Sequence, residues 1–316
     1  SEKELQRSKA VKETIVITTY GRSRKPFEDL MKNCAPDRPT TSNLNVYRWN
    51  LKDWEHGYSQ KPRGLDTVIL GSGIKDNLIK HLKDFSDNEN WYMKNGIPYR
   101  TGILLEGPGG TGKTSIVRAL CSHLNTSLYL INLGVLTDGS FEKAMSSVPK
   151  GAVVLIEDID AFNIQLNREG KGSVAKDIVS EMTGGLSISG ILNGIDGIAG
   201  SEGRILIATT NHPEKLDKAL TRPGRFDLTQ HIGYLDNESF VRLFNRYFPK
   251  NKIDKIEINN NITPAILQAS VLANIKDPIK VLENMKKLNS KEKRVVPYKL
   301  IAKVSKSEPL NSTGEF

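Results

Sequence analysis

With 316 residues, 38% of them hydrophobic, the chain carries enough apolar material for a packed core, which excludes a disordered segment. Its 45 Lys and Arg against 36 Asp and Glu leave a formal charge of +9, which suits nucleotide phosphates, nucleic acid or an acidic membrane surface without choosing among them. Two cysteines, Cys34 and Cys121, lie far apart without metal spacing, and no apolar run is long enough to cross a bilayer; this argues against a disulfide frame, a zinc module and a membrane span.

Residues 1–65 open on a polar lead, "SEKELQRSKAVKET", that does not read as a signal peptide. A strand candidate, "TIVITTY", a helical stretch, "PFEDLMKNC", and aromatics at Tyr47, Trp49, Trp54 and Tyr58 predict a small α+β element there. Next, Ile74, Leu78, Leu82 and Phe85 keep the spacing of one amphipathic helix. Between residues 66 and 235, "GILLEG", "SLYLINL", "AVVLIED" and "RILIATTN" are nearly continuous apolar runs, the mark of strands buried on both faces. Helical segments separate them, so a parallel sheet built from right-handed βαβ units is expected: an α/β fold. Over 236–290 helices take over, with Phe240, Val241, Leu243, Phe244 and Tyr247 marking one. Thr263-Pro264 and Asp277-Pro278 read as N-cap and first-turn pairs of two more, giving a small helical lid; residues 291–316 form a basic tail.

The chemistry begins at "EGPGGTGKTS", which follows the strand run "GILLE" and opens the helical run "SIVRALCSHL". It matches G-x-x-x-x-G-K-T across Gly107, Pro108, Gly109, Gly110, Thr111, Gly112, Lys113 and Thr114, with Ser115 next. Glycines let backbone N–H groups wrap phosphates, Lys113 neutralises β/γ oxygens, and the Thr114 hydroxyl reaches Mg²⁺. The acidic strand end arrives 44 residues after Lys113, as Glu157 then Asp158, where Asp-Glu is the usual order. Glu157 falls where magnesium is held, and Asp158 where a base orients the attacking water; Asp160 fits a helix-capping role. Asn211, at the tip of "RILIATTN", suits fixing water near a γ-phosphate, whereas His212 reads as a structural neighbour. In "KALTRPGRFDL", a Pro-Gly turn exposes Arg222 and Arg225, which suits the role of an arginine finger acting on a neighbouring subunit's γ-phosphate.

These four stations, in this order, resemble the AAA family of ring ATPases, and "RPGRFD" after "ATTN" resembles its second region of homology. The likeness is closer to the Bcs-type chaperones, through "WYMKNGIPYRTGILLEGPGGTGKTS", "LIEDIDAF", "LSISGILNGIDGI", "ATTNHPEKLDKALTRPGRFD" and "HIGYLD". Upstream, "ITTYGRSRKPFEDLM" and "KPRGLDTVIL" resemble the domain preceding the ATPase module in that branch, so the likeness spans most of residues 14–290. It implies an AAA+ P-loop module, an ATP and Mg²⁺ enzyme assembled as a heptameric ring, and a protein cargo; the branch also writes Glu before Asp. Its mitochondrial member moves a folded iron–sulphur protein. Adenine is expected near Val68 to Gly71 and the lid.

Threading AAA unfoldases carry an aromatic, an aliphatic and a glycine after the second strand. Here "INLGVLTDGSFEKAMSSV" lacks that triplet, and Phe141 reads as core, so a folded cargo is the expectation. The likeness departs at the front, where mitochondrial members begin with a membrane-spanning helix that this chain does not show. A soluble, cytoplasmic protein is therefore expected, with the mitochondrial inner membrane as the alternative if an anchor has been removed from before Ser1. Two other readings stand beside the chaperone: a nucleic-acid motor or loader, which the basic tail would suit, and a nucleotide-gated scaffold with negligible turnover. Neither helix-turn-helix, zinc site nor aromatic-basic platform supports the motor.

Overall fold

The computed structural model describes residues 43–161, 185–196, 202–222, 224–258 and 261–290. The candidate strand "TIVITTY", the helical stretch "PFEDLMKNC", Cys34 and the basic tail lie outside the described residues. The four apolar runs form strands: β3 (Arg100–Glu106), β4 (Leu128–Ile131), β5 (Val153–Ile156) and β6 (Arg204–Thr210). Three further strands, β1 (Leu44–Trp49), β2 (Trp54–Gln60) and β7 (Leu228–His231), complete a seven-stranded sheet in the order β2-β1-β4-β5-β6-β3-β7. All neighbours run parallel except β1 and β2, which form an antiparallel hairpin at one edge.

The continuous apolar runs are explained by cover on both faces. Ile103, Leu105, Leu155 and Ile207 join one core with Leu78, Leu82 and Phe85 of α1 (Ile74–Asp87) and with Ile116 and Leu120 of α3 (Lys113–His123). The alternate residues Leu104, Val154, Ile156 and Leu206 join a second core with α4 (Asp138–Ser146) and α5 (Ile188–Asp196). A short α2 (Glu89–Lys94) follows α1. Phe141 of α4 is fully buried, as expected, and its ring occupies the space that a side chain at Gly194 of α5 would need. Gly190 and Gly194 of "LSISGILNGIDGI" thus let two helices approach closely.

The lid has its own core, in which Phe240, Leu243 and Phe244 of α6 (Asn237–Tyr247) meet Leu267 and Val271 of α7 (Pro264–Ala273) and Val281 and Met285 of α8 (Pro278–Ser290). The expected caps are present: Thr263 accepts from Ile266 N at 3.2 Å and Asp277 from Lys280 N at 3.0 Å.

Two features differ from the sequence reading. The boundary near residue 65 is no structural break, because β1 pairs in parallel with β4 and residues 44–60 extend the main sheet. The aromatics secure that edge: Tyr47 stacks on Tyr129 at 4.8 Å, and the indole N–H groups of Trp49 and Trp54 reach Ser140 Oγ and Ala144 O on α4. Strand β7, "LTQH", carries no apolar run and goes unpredicted; its partner β3 imposes the extended form, pairing Ile103 with Leu228 and Glu106 with His231.

Gly102 on β3 sits where the chain entering β7 crosses it. A Cβ there would overlap the Arg225 carbonyl, while Asp227 N donates to Gly102 O at 2.8 Å and holds the two backbones together. Gly102→Ala is therefore expected to destabilise the fold by about 3 kcal/mol, read as a fall in melting temperature of roughly 5 °C or more. A melting temperature equal to wild type would show that the crossing yields freely.

Candidate active site

The sheet register aligns the strand tips that carry the chemistry. Glu106 pairs with Thr210 and Ile156 with Ala208, so Gly107, Glu157 and Asn211 follow their strands at one edge. That carboxyl edge is where open parallel sheets bind ligands. Gly107 has φ of 136°, and a Cβ on it would meet the Ile232 carbonyl; Gly110 (79°) and Gly112 (106°) also lie in the left-handed region. The turn delivers Lys113 to the first position of α3, with the N–H of Ile116 the first to find a helical acceptor, Gly112 O at 2.9 Å. The amides before it stay available to an anion.

Lys113 Nζ donates to Gly107 O (2.7 Å), Pro108 O (2.9 Å) and Asn211 Oδ1 (2.7 Å). Burial lowers its pKa, opposed by the charges of Asp158 and Asp160. The Thr114 hydroxyl donates to Glu157 Oε1 at 2.8 Å, placing a hydroxyl and a carboxylate oxygen side by side. Asn211 Nδ2 donates to Asp158 Oδ1 at 3.1 Å, so Asn211 spans the lysine and the second acid.

Asp158 adopts φ of 48°, a left-handed conformation that Asp tolerates better than most residues, and its N–H donates to Thr209 Oγ1 at 3.0 Å. The backbone turn and Asn211 both act on this shorter acid. Its pKa is raised, first by burial and then by the like charges of Asp160 and Glu157, with Lys113 and Asn211 opposing.

Among the described residues, the partners of Asp160 lie at the tip of β6 and not at a helix start as expected. Asp160 is buried at 4% exposure and accepts from Thr210 Oγ1 (2.8 Å) and from Asn211 N (3.1 Å), pinning the strand tip that presents Asn211. Thr209 and Thr210, polar ends of an otherwise apolar strand, were the signal that could have revealed this. His212 pairs with Glu214 on the exposed side, in keeping with a structural role.

A cleft of about 360 Å³ runs from the phosphate turn to the lid. Gly109 to Ser115, Asp158 and Asn211 line one end, and Val68, Ile69, Leu243 and Tyr247 line the other. The backbone carbonyl of Leu70, within the stretch expected near adenine, accepts from Ser239 Oγ at 3.1 Å and ties the lid to the core. Ala265 N donates to Gly110 O at 3.2 Å, so α7 touches the phosphate turn directly.

The two arginines part company. Arg222 is exposed, and its side chain has no hydrogen-bond or ion-pair partner among the described residues. Arg225, expected beside it as a second finger, is instead largely buried: its Nε donates to Asp196 Oδ2 at 2.8 Å and a terminal nitrogen donates to Ala219 O. A guanidinium held so fully by its own chain is not free to reach a neighbour.

The role expected of Asp158, orienting the attacking water as a base, requires its ionised form. Because the pKa of Asp158 is raised, its carboxylate is lost at a higher pH on acidification than the ordinary Asp value of about 3.9. The acid limb of kcat/KM for ATP hydrolysis is therefore expected above that value. Asp160→Asn, which keeps an acceptor for Thr210 and Asn211 while removing a like charge, should move the limb to lower pH. A limb that stays in place would remove Asp160 from the electrostatics of Asp158.

The comparisons with known proteins agree with this geometry. Residues 103–234 match the ATPase family associated with various cellular activities (AAA). The chain is 35% identical over 310 residues to the probable mitochondrial chaperone BCS1-B of Dictyostelium discoideum, covering 88% of this chain and 67% of that protein. It is 32% identical over 289 residues to the mitochondrial chaperone BCS1 of Homo sapiens, covering 87% and 68%, and 31% identical over 269 residues to an Arabidopsis thaliana AAA-ATPase, covering 76% and 55%. No described helix is long and apolar enough to cross a membrane. With the phosphate turn, the Glu-Asp strand end and the lid in place, the chain belongs to the BCS1 family of AAA chaperones and is an ATPase.

Proposed function

We propose that this protein hydrolyses ATP with Mg²⁺ in a homo-oligomeric ring, heptameric as the family likeness implies, and uses the cycle to move or remodel a folded protein. Thr114 and Glu157 fit the metal: magnesium favours oxygen ligands, taking one or two carboxylates together with phosphate oxygens and water. When bound, it neutralises charge on the β- and γ-phosphates. Lys113 leaves its carbonyl partners for phosphate oxygens, which are stronger acceptors because they are charged. Asp158 orients the attacking water, and Asn211, fixed by Asp160, holds both that carboxylate and the γ-phosphate end.

The observation that carries the ring is the separation of the arginine loop from its own cleft. Arg225 N–H bonds to Arg222 O, and Arg225 shares Asp196 with Arg100, the first residue of β3, whereas the phosphate turn follows the last. Six residues of strand, roughly 20 Å, lie between those ends. Arg222 therefore acts on a neighbour's nucleotide, and Arg225 is a positioning residue that holds the loop through Asp196.

Arg222→Ala is expected to lower kcat in assembled particles by about 10³-fold, in the range of arginine fingers. Asp158→Asn should abolish turnover while ATP still binds, and Lys113→Ala should lose binding. Rings mixed from Arg222→Ala and Asp158→Asn protomers should regain phosphate release, because some interfaces pair an intact Asp158 with an intact Arg222. Mixtures no more active than either parent would place both groups in one chain and refute the shared site.

A further inference from the structure

The nucleotide cleft contains a cation that none of the motifs above accounts for. Arg63 lies well before the phosphate turn, in the stretch that leads into the module, yet it lines the cleft together with Ser115 and Thr67. Its Nη1 donates to Ser115 Oγ at 3.1 Å and its Nε to Thr67 Oγ1 at 3.2 Å, while its backbone N–H is fixed by Ser122 Oγ at 3.1 Å. No carboxylate among the described residues forms an ion pair with it. A full positive charge is thus held in a defined pose by two neutral hydroxyls.

Its place along the cleft identifies what it meets. Lys113, Asp158 and Asn211 mark the terminal-phosphate end, and Val68, Ile69 and Leu243 mark the apolar end, where a base is covered. Ser115, the third residue of α3, is two beyond Lys113, and its amide precedes the first one satisfied within the helix. In such a phosphate turn the lysine reaches the β- and γ-phosphates and the backbone N–H groups cradle the α- and β-phosphates, so an amide beyond Lys113 faces the phosphate nearer the sugar. We infer that Arg63, an anchor outside the phosphate-turn motif, binds the α-phosphate of the nucleotide and so distinguishes phosphorylated adenosine from adenosine itself.

The chemistry favours the exchange. A guanidinium-to-phosphate bond is charge-assisted and about twice as strong as one to a neutral hydroxyl. When Arg63 turns to the phosphate, the Ser115 hydroxyl can donate its proton to the same group, whereas the Thr67 hydroxyl goes on donating to Gly64 O at 2.7 Å. The lid shares in the arrangement: Tyr247 of α6 lines the cleft within the field of Arg63, and Arg246, next to it, pairs with Asp66 at 3.0 Å. Nucleotide held by Arg63 would therefore bear on the contact between lid and core.

The inference rests on the nucleotide reading of the cleft, and the experiment separates the two. ATP, ADP, AMP and adenosine compete against a fluorescent ADP analogue on wild type, Arg63→Gln and Arg63→Lys, without magnesium, with melting temperatures recorded alongside. In Arg63→Gln, ATP, ADP and AMP should each weaken roughly tenfold, adenosine should be unaffected, and Arg63→Lys should recover part of the loss. Equal weakening of adenosine and AMP would reduce Arg63 to a structural anchor. Weakening of ATP and ADP without AMP would assign it to the β-phosphate, and no change in any ligand would remove it from the site; each of these overturns the inference. Wild type that binds neither ATP nor ADP would overturn the nucleotide reading itself. Should Arg63→Gln fail to fold, the AMP-to-adenosine ratio of Arg63→Lys decides, with a ratio equal to wild type counting against the fork.

Discussion

The parallel register of β5, β6 and β3 is the constraint on which the active site depends. Pairing Ile156 with Ala208, and Glu106 with Thr210, sets three strand tips level, so the phosphate turn, the acidic pair and Asn211 emerge together. A shift by one residue would exchange the two faces of a strand as well as displace its tip, placing Leu104 in the core of Leu105. Because both faces are covered by helices, such a slip is opposed by the whole of both cores. The buried bonds from Thr210 and Asn211 to Asp160 then tie the tip of β6 to the segment just past β5. Catalytic precision thus derives from sheet pairing, with one carboxylate making the last adjustment.

The far end of the sheet has an electrostatic organisation of its own. Arg100 and Arg204, which begin β3 and β6, both donate to Ile195 O, while Arg100 and Arg225 share Asp196. Two of the three cations meet one carboxylate there, Arg204 meets only backbone carbonyls, and the carbonyl end of α5 supplies the balance through its partial negative charge. Burial lowers the pKa of Arg204 to about 10, which leaves it charged at neutral pH. The last turn of α5 is therefore the hub joining two core strands to the arginine loop. Through Arg225, whose N–H donates to Arg222 O at 3.2 Å, that hub also reaches Arg222, the residue proposed to meet a neighbour.

The reversed acid pair has a physical logic. The longer Glu157 still meets the Thr114 hydroxyl, and the shorter Asp158 is turned by its left-handed backbone and held by Asn211. Burial first, and then the like charges of Asp160 and Glu157, raise the pKa of Asp158, a condition suited to a group that handles protons. Lys113 offsets part of that repulsion, so the charges of Lys113 and Asp158 support one another.

Local signals in the chain determined a great deal. The glycine turn before a helix, the apolar runs buried on two faces, the Thr-Pro and Asp-Pro helix starts and the Glu-Asp strand end were all legible, because each depends on residues within one or two turns of one another. The polar strand β7, the welding of residues 44–60 to the sheet edge, the anchoring by Asp160 and the loss of Arg225 to Asp196 were not. Each of these is set by a partner distant in sequence: Ile103 for Leu228, Tyr129 for Tyr47, Thr210 for Asp160 and Asp196 for Arg225. An exposed arginine and a sequestered one have the same side chain and the same flanking turn, so composition and spacing could not tell Arg222 from Arg225. Only packing, which brings the end of α5 beneath one of them, decides which guanidinium is spent within the chain and which remains to meet another molecule.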